Sequence, residues 1–298
     1  MGLIHRWAGM ASHAPWLANL VLRTPGVANL AKSVGGIAQA RKIPPFASPT
    51  FRQWHAKNAK RNGGERVILW PDTFNNYFRA DTAVAATRLL ERLGFQVEIP
   101  SRVLCCGRPL YDWGWIDQAK ALWRETLGVL RNGIDAGVPV IGLEPACTSA
   151  FRDELPALFP NDPLATALSK QTRFLSEFLT ERGITPPIST RSPKALVQLH
   201  CHHHAVLDED AERKLLDALP LDCEVLNTGC CGMAGSFGFE AEKYDISLTI
   251  AEKGMLPKIR SCSRDTLIVA NGFSCREQIE QLTGRKTLHL AQLLQVQA

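Results

Sequence analysis

Two pairs of adjacent cysteines, each followed by glycine, constrain this chain more than any other feature of its 298 residues. The pairs are Cys105–Cys106 in "VLCCGRPLYDWGW" and Cys230–Cys231 in "LNTGCCGMAGSFGFE". The chain has nine cysteines and no N-terminal stretch typical of an export signal. In a reducing compartment, thiols serve metal ligation or thiol chemistry more often than a disulfide framework. The pairs are therefore candidate ligands or a candidate redox couple.

The pattern around the first pair is repeated around the second. "RVILW", "FQVEI" and "VPVIGL" predict strands in the first half, and "ALVQLHC", "CEVL" and "TLIVANG" predict strands at corresponding places in the second, with helical patterns between them. Cys106 and Cys147 are 41 positions apart. Cys231 and Cys275 are 44 positions apart. We therefore predict an α/β fold with two tandem repeats of roughly 125 residues, each a small, mainly parallel sheet flanked by helices.

A basic segment precedes the repeats. Residues 1–61 contain nine Lys or Arg and no Asp or Glu, whereas the rest of the chain has 25 basic and 29 acidic residues. We predict a basic helical arm and linker at 1–61 with one or two short helices, a first repeat at 62–190 and a second repeat at 191–298. The charge of the arm suits an acidic partner or an anionic lipid surface.

The sequence also limits where the protein can be located and which classes of partner it can have. No apolar run of the sequence is long enough to cross a bilayer, so we expect a cytoplasmic protein, or one bound peripherally at the inner face of the membrane. No nucleic-acid-binding motif accompanies the basic arm, so we expect no nucleic-acid partner.

Cysteines follow predicted strands in both repeats, at the sheet edge where α/β proteins bind ligands. Those of the second repeat are Cys201, Cys230, Cys231 and Cys275. Four thiols are what an iron–sulfur cluster or a tetrahedral zinc ion requires. Those of the first repeat are Cys105, Cys106 and Cys147, with Asp72 at the position that corresponds to Cys201. The first repeat either binds a metal through these residues or is a degenerate half without one.

Glycines flank the candidate ligands. Gly107 and Gly232 would let the backbone turn tightly behind each cysteine pair. Gly235 and Gly238 would bring peptide N–H groups close to sulfur, where such donors stabilise an anionic cluster.

Histidines surround Cys201 in "HCHHHA". If the chain is extended there, alternate residues share a face. We therefore expect His202 and His204, rather than His203, to lie near the site as hydrogen-bonding neighbours. A polar loop without a role in the site is the alternative.

Several motifs, in order, resemble the cysteine-rich "CCG" domain family. They are "LCCGRPLYDWG", "EPACTSAFRDEL", "HCHHHA", "CCGMAGSFGFEAEKYDIS" and "ANGFSCREQI". The family includes heterodisulfide reductase subunits and the iron–sulfur subunits of glycolate, lactate and glycerol-3-phosphate oxidising systems. It also includes the C-terminal part of FAD-linked 2-hydroxyacid dehydrogenases, which these motifs resemble most. The likeness runs from about residue 40 to the C-terminus.

The resemblance implies a set of ligands and a cofactor. The cluster ligands of the family correspond to Cys201, Cys230, Cys231 and Cys275, and less closely to the three cysteines of the first repeat. The fuller family pattern ends each repeat with C-x-x-C, but Glu144 and Gly272 replace the first cysteine of that motif here. A cluster that needs five thiols is therefore not expected. We predict one 4Fe–4S cluster in the second repeat, with zinc as the alternative.

The resemblance also implies an electron-transfer function. The chain shows neither the ferredoxin-like C-x2-C-x2-C-x3-C-P run nor the FAD domain that family members carry. We expect a subunit, or a C-terminal piece, that relays electrons from an FAD-linked dehydrogenase of D-lactate, glycolate or 2-hydroxyglutarate to a quinone or a carrier. Its partners would be a flavoprotein that holds the FAD, a ferredoxin-like iron–sulfur subunit or domain, and a quinone or membrane surface reached through the arm. No residue is assigned a catalytic role, so the chain would be an oxidoreductase component that is not catalytic alone.

Two other functions stay open. A thiol–disulfide reductase of the heterodisulfide type would use Cys230 and Cys231 on a bound disulfide, and would turn over without a flavoprotein. Zinc would instead make the repeats a stable scaffold with no redox role, and the protein would be colourless.

Overall fold

Eight short strands form two sheets in residues 2–188 and 194–295, the part of the chain that the computed structural model describes. They are β1 (Arg66–Leu69), β2 (Gln96–Glu98), β3 (Val140–Gly142), β4 (Thr172–Phe174), β5 (Lys194–Gln198), β6 (Asp222–Val225), β7 (Leu267–Ala270) and β8 (Thr287–Leu288). The first sheet has the order β2-β1-β3-β4 and the second the order β6-β5-β7-β8. Every pairing is parallel. The shared order confirms the predicted α/β fold with two repeated units.

Helices flank both sheets and form most of the arm. In the arm they are α1 (Ile4–Ala11), α2 (Pro15–Arg23), α3 (Pro25–Val34) and α4 (Phe51–Asn58). Around the first sheet they are α5 (Thr73–Tyr77), α6 (Ala80–Arg92), α7 (Arg108–Asp112), α8 (Ile116–Asp135), α9 (Pro145–Arg152), α10 (Glu154–Leu158), α11 (Pro163–Gln171) and α12 (Leu175–Glu181). Around the second they are α13 (Cys201–Ala205), α14 (Glu209–Asp217), α15 (Tyr244–Lys253), α16 (Leu256–Ser261), α17 (Phe273–Thr283) and α18 (Leu290–Leu293).

The arm has three helices before its proline-rich linker, where one or two were expected. Pro15 and Pro25 each begin a helix instead of interrupting one. Proline suits the first helical position because the N–H that it lacks would have no partner there. A fourth helix, α4, follows the linker. It begins at a capping box in which the Thr50 side chain accepts a hydrogen bond from the backbone N–H of Gln53.

Side chains alternate along each strand, so the two faces of each sheet pack into different hydrophobic cores. Val67 and Leu69 of β1 belong to a core, called here the shared core, that also contains Val197 of β5 and Val269 of β7. Ile68, which points to the other face of β1, packs with the cysteines of the first repeat. The second sheet is built in the same way, since its other face packs against Cys231 and Cys275.

The sheets fall within the predicted repeats, with β1–β4 before residue 190 and β5–β8 after it. The predicted boundary between residues 190 and 191 lies outside the described residues. Because the two sheets share one core, the limits of the domains stay a prediction. The edge strands β4 and β8, of three and two residues, were not expected.

Buried polar groups also join the repeats. The side chain of Glu144 accepts a hydrogen bond of 2.8 Å from the backbone N–H of Phe273, at the start of α17. Arg276, which is fully buried, donates to Thr82 Oγ1 at 2.9 Å and to Asn75 Oδ1 at 3.3 Å. Each of these bonds spans the two halves of the sequence, and buried polar groups of this kind are costly to leave unpaired.

We expect Glu144 to make stability depend on pH. Burial, together with the charge of Asp72, raises the pKa of Glu144 from 4.5 to about 8. The folded protein therefore binds the proton more tightly than the unfolded chain, and this contribution to stability is lost as the pH rises from about 5 to about 8. Glu144→Gln keeps an oxygen for the Phe273 N–H and removes the titration. Denaturant unfolding between about pH 5 and pH 8 should give a flatter stability profile for this variant than for the wild type. Parallel profiles would show that Glu144 does not titrate in this range.

Candidate metal centre

The lone cysteines of both repeats lie in the first turns of helices, directly after strands. Cys147 and Cys275 each occupy the third position of a helix, α9 and α17, whose N-cap residues are Glu144 and Gly272. The two positions that lack the family's first C-x-x-C cysteine are thus helix caps. A side chain at Gly272 would place its Cβ 2.3 Å from Cδ2 of His200. The imidazole of His200 therefore occupies the space that a fifth cysteine would need.

The four thiols of the second repeat meet at one place. The Cys230 sulfur lies within hydrogen-bonding reach of Cys201 and Cys231, and Cys231 is in reach of Cys275. Hydrogen bonds from Cys201 and Cys231 hold the pKa of Cys230 well below its usual range, and the same contacts raise the pKa of both neighbours. Cys231 and Cys275 are buried, whereas Cys201 and Cys230 are partly exposed. The quartet thus has a closed side and an open side.

The glycine behind the second pair shapes this loop. Gly232 has φ +87°, and a Cβ there would lie 2.4 Å from the carbonyl oxygen of Ser247. The N–H of Gly232 donates to Cys230 Sγ at 3.3 Å, a contact that stabilises anionic sulfur. The expectation for Gly238 was wrong, since its N–H donates to the carbonyl oxygen of Met233 instead of to sulfur. Gly235 provides a turn with φ +65°.

The histidines are arranged differently from the prediction because the chain around Cys201 is helical. β5 ends at Gln198 and α13 begins at Cys201, so residues do not alternate between faces there. Nδ1 of His200 lies 3.7 Å from Cys201 Sγ, and Nδ1 of His202 lies 3.9 Å from it. Burial lowers the pKa of His200 to about 3 and that of His202 to about 4, which keeps both rings neutral at pH 7.

The other two histidines face away from the thiols. His203 is buried, with its Nε2 atom 3.0 Å from Glu212 Oε2. His204 is exposed and pairs with Glu209 on the surface. His202 is therefore beside the site as expected, and His204 is not. Instead of His204, the second histidine beside Cys201 is His200, which the sequence pattern did not single out.

The three thiols of the first repeat are also together, and all are buried. Cys106 lies within hydrogen-bonding reach of both Cys105 and Cys147. Gly107 turns the backbone with φ +81°, and a Cβ there would lie 2.6 Å from Nε1 of Trp123. That indole N–H donates to the carbonyl oxygen of Cys106 at 2.7 Å. The loop is thus held by packing that only glycine permits.

Asp72 has a structural role that the sequence did not reveal. It is the N-cap of α5, where its side chain accepts hydrogen bonds from the N–H groups of Phe74 and Asn75 at 2.9 and 3.0 Å. Its second oxygen accepts a bond of 2.7 Å from the Asn75 amide. Burial raises the pKa of Asp72. Both oxygens of this carboxylate thus take part in capping α5.

The spacing of the donors distinguishes a single ion from a larger group. Zinc with four thiolates at about 2.3 Å brings every pair of sulfurs to about 3.8 Å. Among the described residues, the set of three ligand atoms that all lie within 4.8 Å of one another is that of His200, Cys201 and His202. Neither group of thiols meets this limit as a set, so in this arrangement the described thiols are not spaced as the ligands of one zinc ion.

Arg41 of the arm is part of the second cysteine loop. It is 1% exposed, and its guanidinium donates to the carbonyl oxygen of Gly238 at 2.6 Å and to Ser247 Oγ at 3.0 Å. The backbone of the arm pairs with the same loop, since the N–H of Ala38 donates to the carbonyl oxygen of Phe239. Nothing in the sequence separates Arg41 from the eight other basic residues of the arm.

Comparison with known proteins identifies a family domain in the first repeat. Residues 73–152 match the cysteine-rich domain family called CCG. The chain is 30% identical over 264 residues to a subunit of the anaerobic glycerol-3-phosphate dehydrogenase of Escherichia coli (strain K12), a match that covers 87% of this chain and 66% of the relative. Residues 73–152 therefore form a cysteine-rich domain of the CCG family.

Two further relatives link the CCG family to other dehydrogenases. The D-2-hydroxyglutarate dehydrogenase of Pseudomonas putida is 28% identical over 295 residues, which cover 93% of this chain and 28% of that protein. Lactate utilization protein A of Bacillus subtilis is 27% identical over 246 residues, 77% of this chain and 98% of that protein. The chain thus spans slightly less than two thirds of the glycerol-3-phosphate dehydrogenase protein and under a third of the hydroxyglutarate enzyme.

The helices in the described part of the chain do not include one with both the length and the apolar character that crossing a bilayer requires.

We expect Arg41 to stabilise the second cysteine loop. Arg41→Met would leave two buried acceptors without their charged donor, which should lower the free energy of unfolding by about 2–4 kcal/mol. Arg23→Met is the matched control, because Arg23 is an exposed arginine of the same arm and should change stability by less than about 0.5 kcal/mol. Denaturant unfolding measures both. Equal, small effects would mean that the arm does not hold the loop.

Proposed function

We propose that this protein is an iron–sulfur electron-transfer subunit, or the corresponding part of a longer protein, and that its cluster is a 4Fe–4S cluster bound by Cys201, Cys230, Cys231 and Cys275. The observation that carries the proposal is the quartet itself. Four thiols from three separate segments lie together at one edge of the second sheet, and no three of them share the 4.8 Å spacing that the ligands of a single ion would have.

The surroundings of the quartet suit such a group. An iron–sulfur cluster supplies one-electron storage and transfer, and hydrogen bonds to its sulfurs tune its potential. The protein contributes the N–H of Gly232 at the Cys230 sulfur and the neutral imidazoles of His200 and His202 beside Cys201. Space for a fifth thiol is filled by His200, which argues against a five-thiol cluster.

The exposure of the site supports transfer to another protein. Cys231 and Cys275 are buried, while Cys201 and Cys230 face the open side. A partner could approach that side without unfolding the loop. Relatives of the chain are named as dehydrogenase proteins for glycerol-3-phosphate and D-2-hydroxyglutarate, and as a lactate utilization protein. We therefore propose that electrons come from a flavoprotein dehydrogenase of a small hydroxylated substrate, with 2-hydroxyacids as the first class to test, through a ferredoxin-like subunit or domain.

The cluster is tested by its colour and composition. The protein, purified without oxygen, should be brown and contain iron and sulfide in equal amounts. Cys231→Ser should lose the iron, the sulfide and the visible absorbance of the second repeat. Cys223→Ser is the control, since Cys223 lies in β6 outside the quartet and should keep all three. A colourless wild-type protein with stoichiometric zinc would rule out electron transfer. The two repeats would then be a zinc-stabilised scaffold with no redox role.

The arm offers a second surface. Val27, Leu30 and Val34 form one stripe along α3, and Val34 is 82% exposed. Trp16, at the start of α2, is 71% exposed. Because residues 1–61 carry nine basic and no acidic residues, we infer that this face docks on an anionic lipid surface, where apolar side chains insert and basic ones meet the head groups. A position at the membrane would suit a quinone as the electron acceptor.

Vesicle binding tests the docking surface. The full chain should sediment with phosphatidylglycerol vesicles and far less with phosphatidylcholine vesicles, and added salt should weaken the binding. Trp16→Ser with Leu30→Ser should reduce binding severalfold, because buried apolar area drives insertion. Ile246→Ser is the matched control, since Ile246 is a comparably exposed residue of α15. Equal binding by both variants, or no binding by the wild type, would contradict membrane docking. The arm would then be a surface for a protein partner.

A further inference from the structure

A cavity of about 240 Å³ lies within the arm, between α2, α3 and residues 41–45. Four of the residues that line it are basic, namely Arg23, Lys32, Arg41 and Lys42. In the described part of the chain, no acidic residue lines this cavity. The ion pairs of the described residues do not include any of the four cations. The cavity therefore carries a positive charge that no carboxylate balances.

Hydrogen bonds hold the walls of the cavity in place. The Asn19 side chain of α2 donates to the carbonyl oxygen of Phe46 at 2.9 Å and accepts from the N–H of Phe46 at 2.8 Å. Lys32 Nζ of α3 donates to the carbonyl oxygens of Gln39 and Arg41 at 2.7 and 3.2 Å. Because an ammonium group has three N–H donors, these bonds leave one donor of Lys32 for a ligand. A site whose walls are fixed in advance loses less entropy when it binds a ligand.

Arg41 is a buried cation without a carboxylate partner. It is 1% exposed, and its guanidinium donates to the carbonyl oxygen of Gly238 and to Ser247 Oγ, both of which are uncharged acceptors. Its Nη1 atom is buried and has no hydrogen-bond partner among the described residues. A charge removed from water is costly unless an opposite charge accompanies it. An anion in the cavity that Arg41 lines would supply that charge.

We propose that this cavity binds a phosphate group. Arginine and lysine are the side chains that bind phosphate oxygens through charge-assisted hydrogen bonds. The volume is below the range of about 300–1,000 Å³ that holds drug-sized ligands, so it suits phosphate or a small phosphate ester. Leu22 and Ile43 also line the cavity and would contact the carbon atoms of an ester. The phosphate group would come from free phosphate or from the head group of a membrane lipid. The proposal does not depend on the iron–sulfur cluster.

The site would be connected to the second cysteine loop. The segment that carries Arg41 also pairs with this loop, since Ile37 forms an antiparallel bridge with Glu240 and the N–H of Ala241 donates to the carbonyl oxygen of Gly36. A bound phosphate group would balance the charge of Arg41 and hold α2 and α3 against the same segment. Because a ligand that binds the folded state stabilises it, phosphate should raise the melting temperature of the full chain.

Calorimetric titration of the full chain tests the site. Sodium phosphate, and dihexanoyl phosphatidylglycerol below its micelle concentration, are titrated separately at constant ionic strength. Arg23→Gln with Lys42→Gln should weaken the binding about tenfold, because two charged donors are lost. Lys57→Gln with Lys60→Gln is the matched control. It removes the same charge from exposed residues of the arm that do not line the cavity, and it should bind as the wild type does.

The two ligands distinguish the source of the phosphate group. Binding of inorganic phosphate alone supports a site for free phosphate. Binding of the lipid, weakened in the variant of Arg23 and Lys42, supports a head-group site. The proposal is overturned if the wild type binds neither ligand, or if the two double variants bind equally well. Arg41 is left unchanged in these tests because its loss would also disturb the second cysteine loop.

A further variant separates this site from membrane docking. Trp16→Ser with Leu30→Ser leaves every residue that lines the cavity unchanged and should bind phosphate or the short-chain lipid as the wild type does. Failure of this variant to bind vesicles therefore says nothing against the phosphate site. Loss of its phosphate binding would overturn the assignment of the site to the cavity.

Discussion

The core shared by the two sheets is the contact on which the rest of the structure depends. Each sheet consists of four short parallel strands, and parallel sheets need cover on both faces. Val67 and Leu69 of one sheet and Val197 and Val269 of the other belong to a single core, which helices of both repeats fill, with α12 on α14 and α6 on α18. The opposite face of each sheet packs against the cysteines.

The same arrangement explains how the chain differs from the fuller CCG pattern. Where the family has a further cysteine, Glu144 caps α9 and binds the first N–H of α17 across the two repeats. At the corresponding position of the second repeat, Gly272 leaves room for the ring of His200. One departure from the pattern thus joins the repeats, and the other admits an imidazole beside the thiols. Neither leaves an empty fifth ligand position.

The arm shows where local patterns stop being informative. Its excess of basic residues distinguished it from the rest of the chain. The apolar stripe along α3 is exposed to solvent. Yet Arg41 is buried in the second cysteine loop, and Gly2 packs on Trp113 and Trp115, which follow the first cysteine pair. Both residues look like ordinary members of a basic helical segment, because their roles arise from contacts with residues far away in the sequence.

The sequence by itself determined the repeat, the α/β class and the cysteines that gather in each half, because these follow from periodic hydrophobicity and from the spacing of rare residues. Tertiary structure decided which groups accompany the sulfurs. A helix at Cys201 replaced the expected strand, so His200 and His202 approach the thiol and His204 faces solvent. It also decided that the arm folds back on both loops. Such choices rest on long-range packing, in which the partner of a side chain lies tens or hundreds of residues away and leaves no local signal.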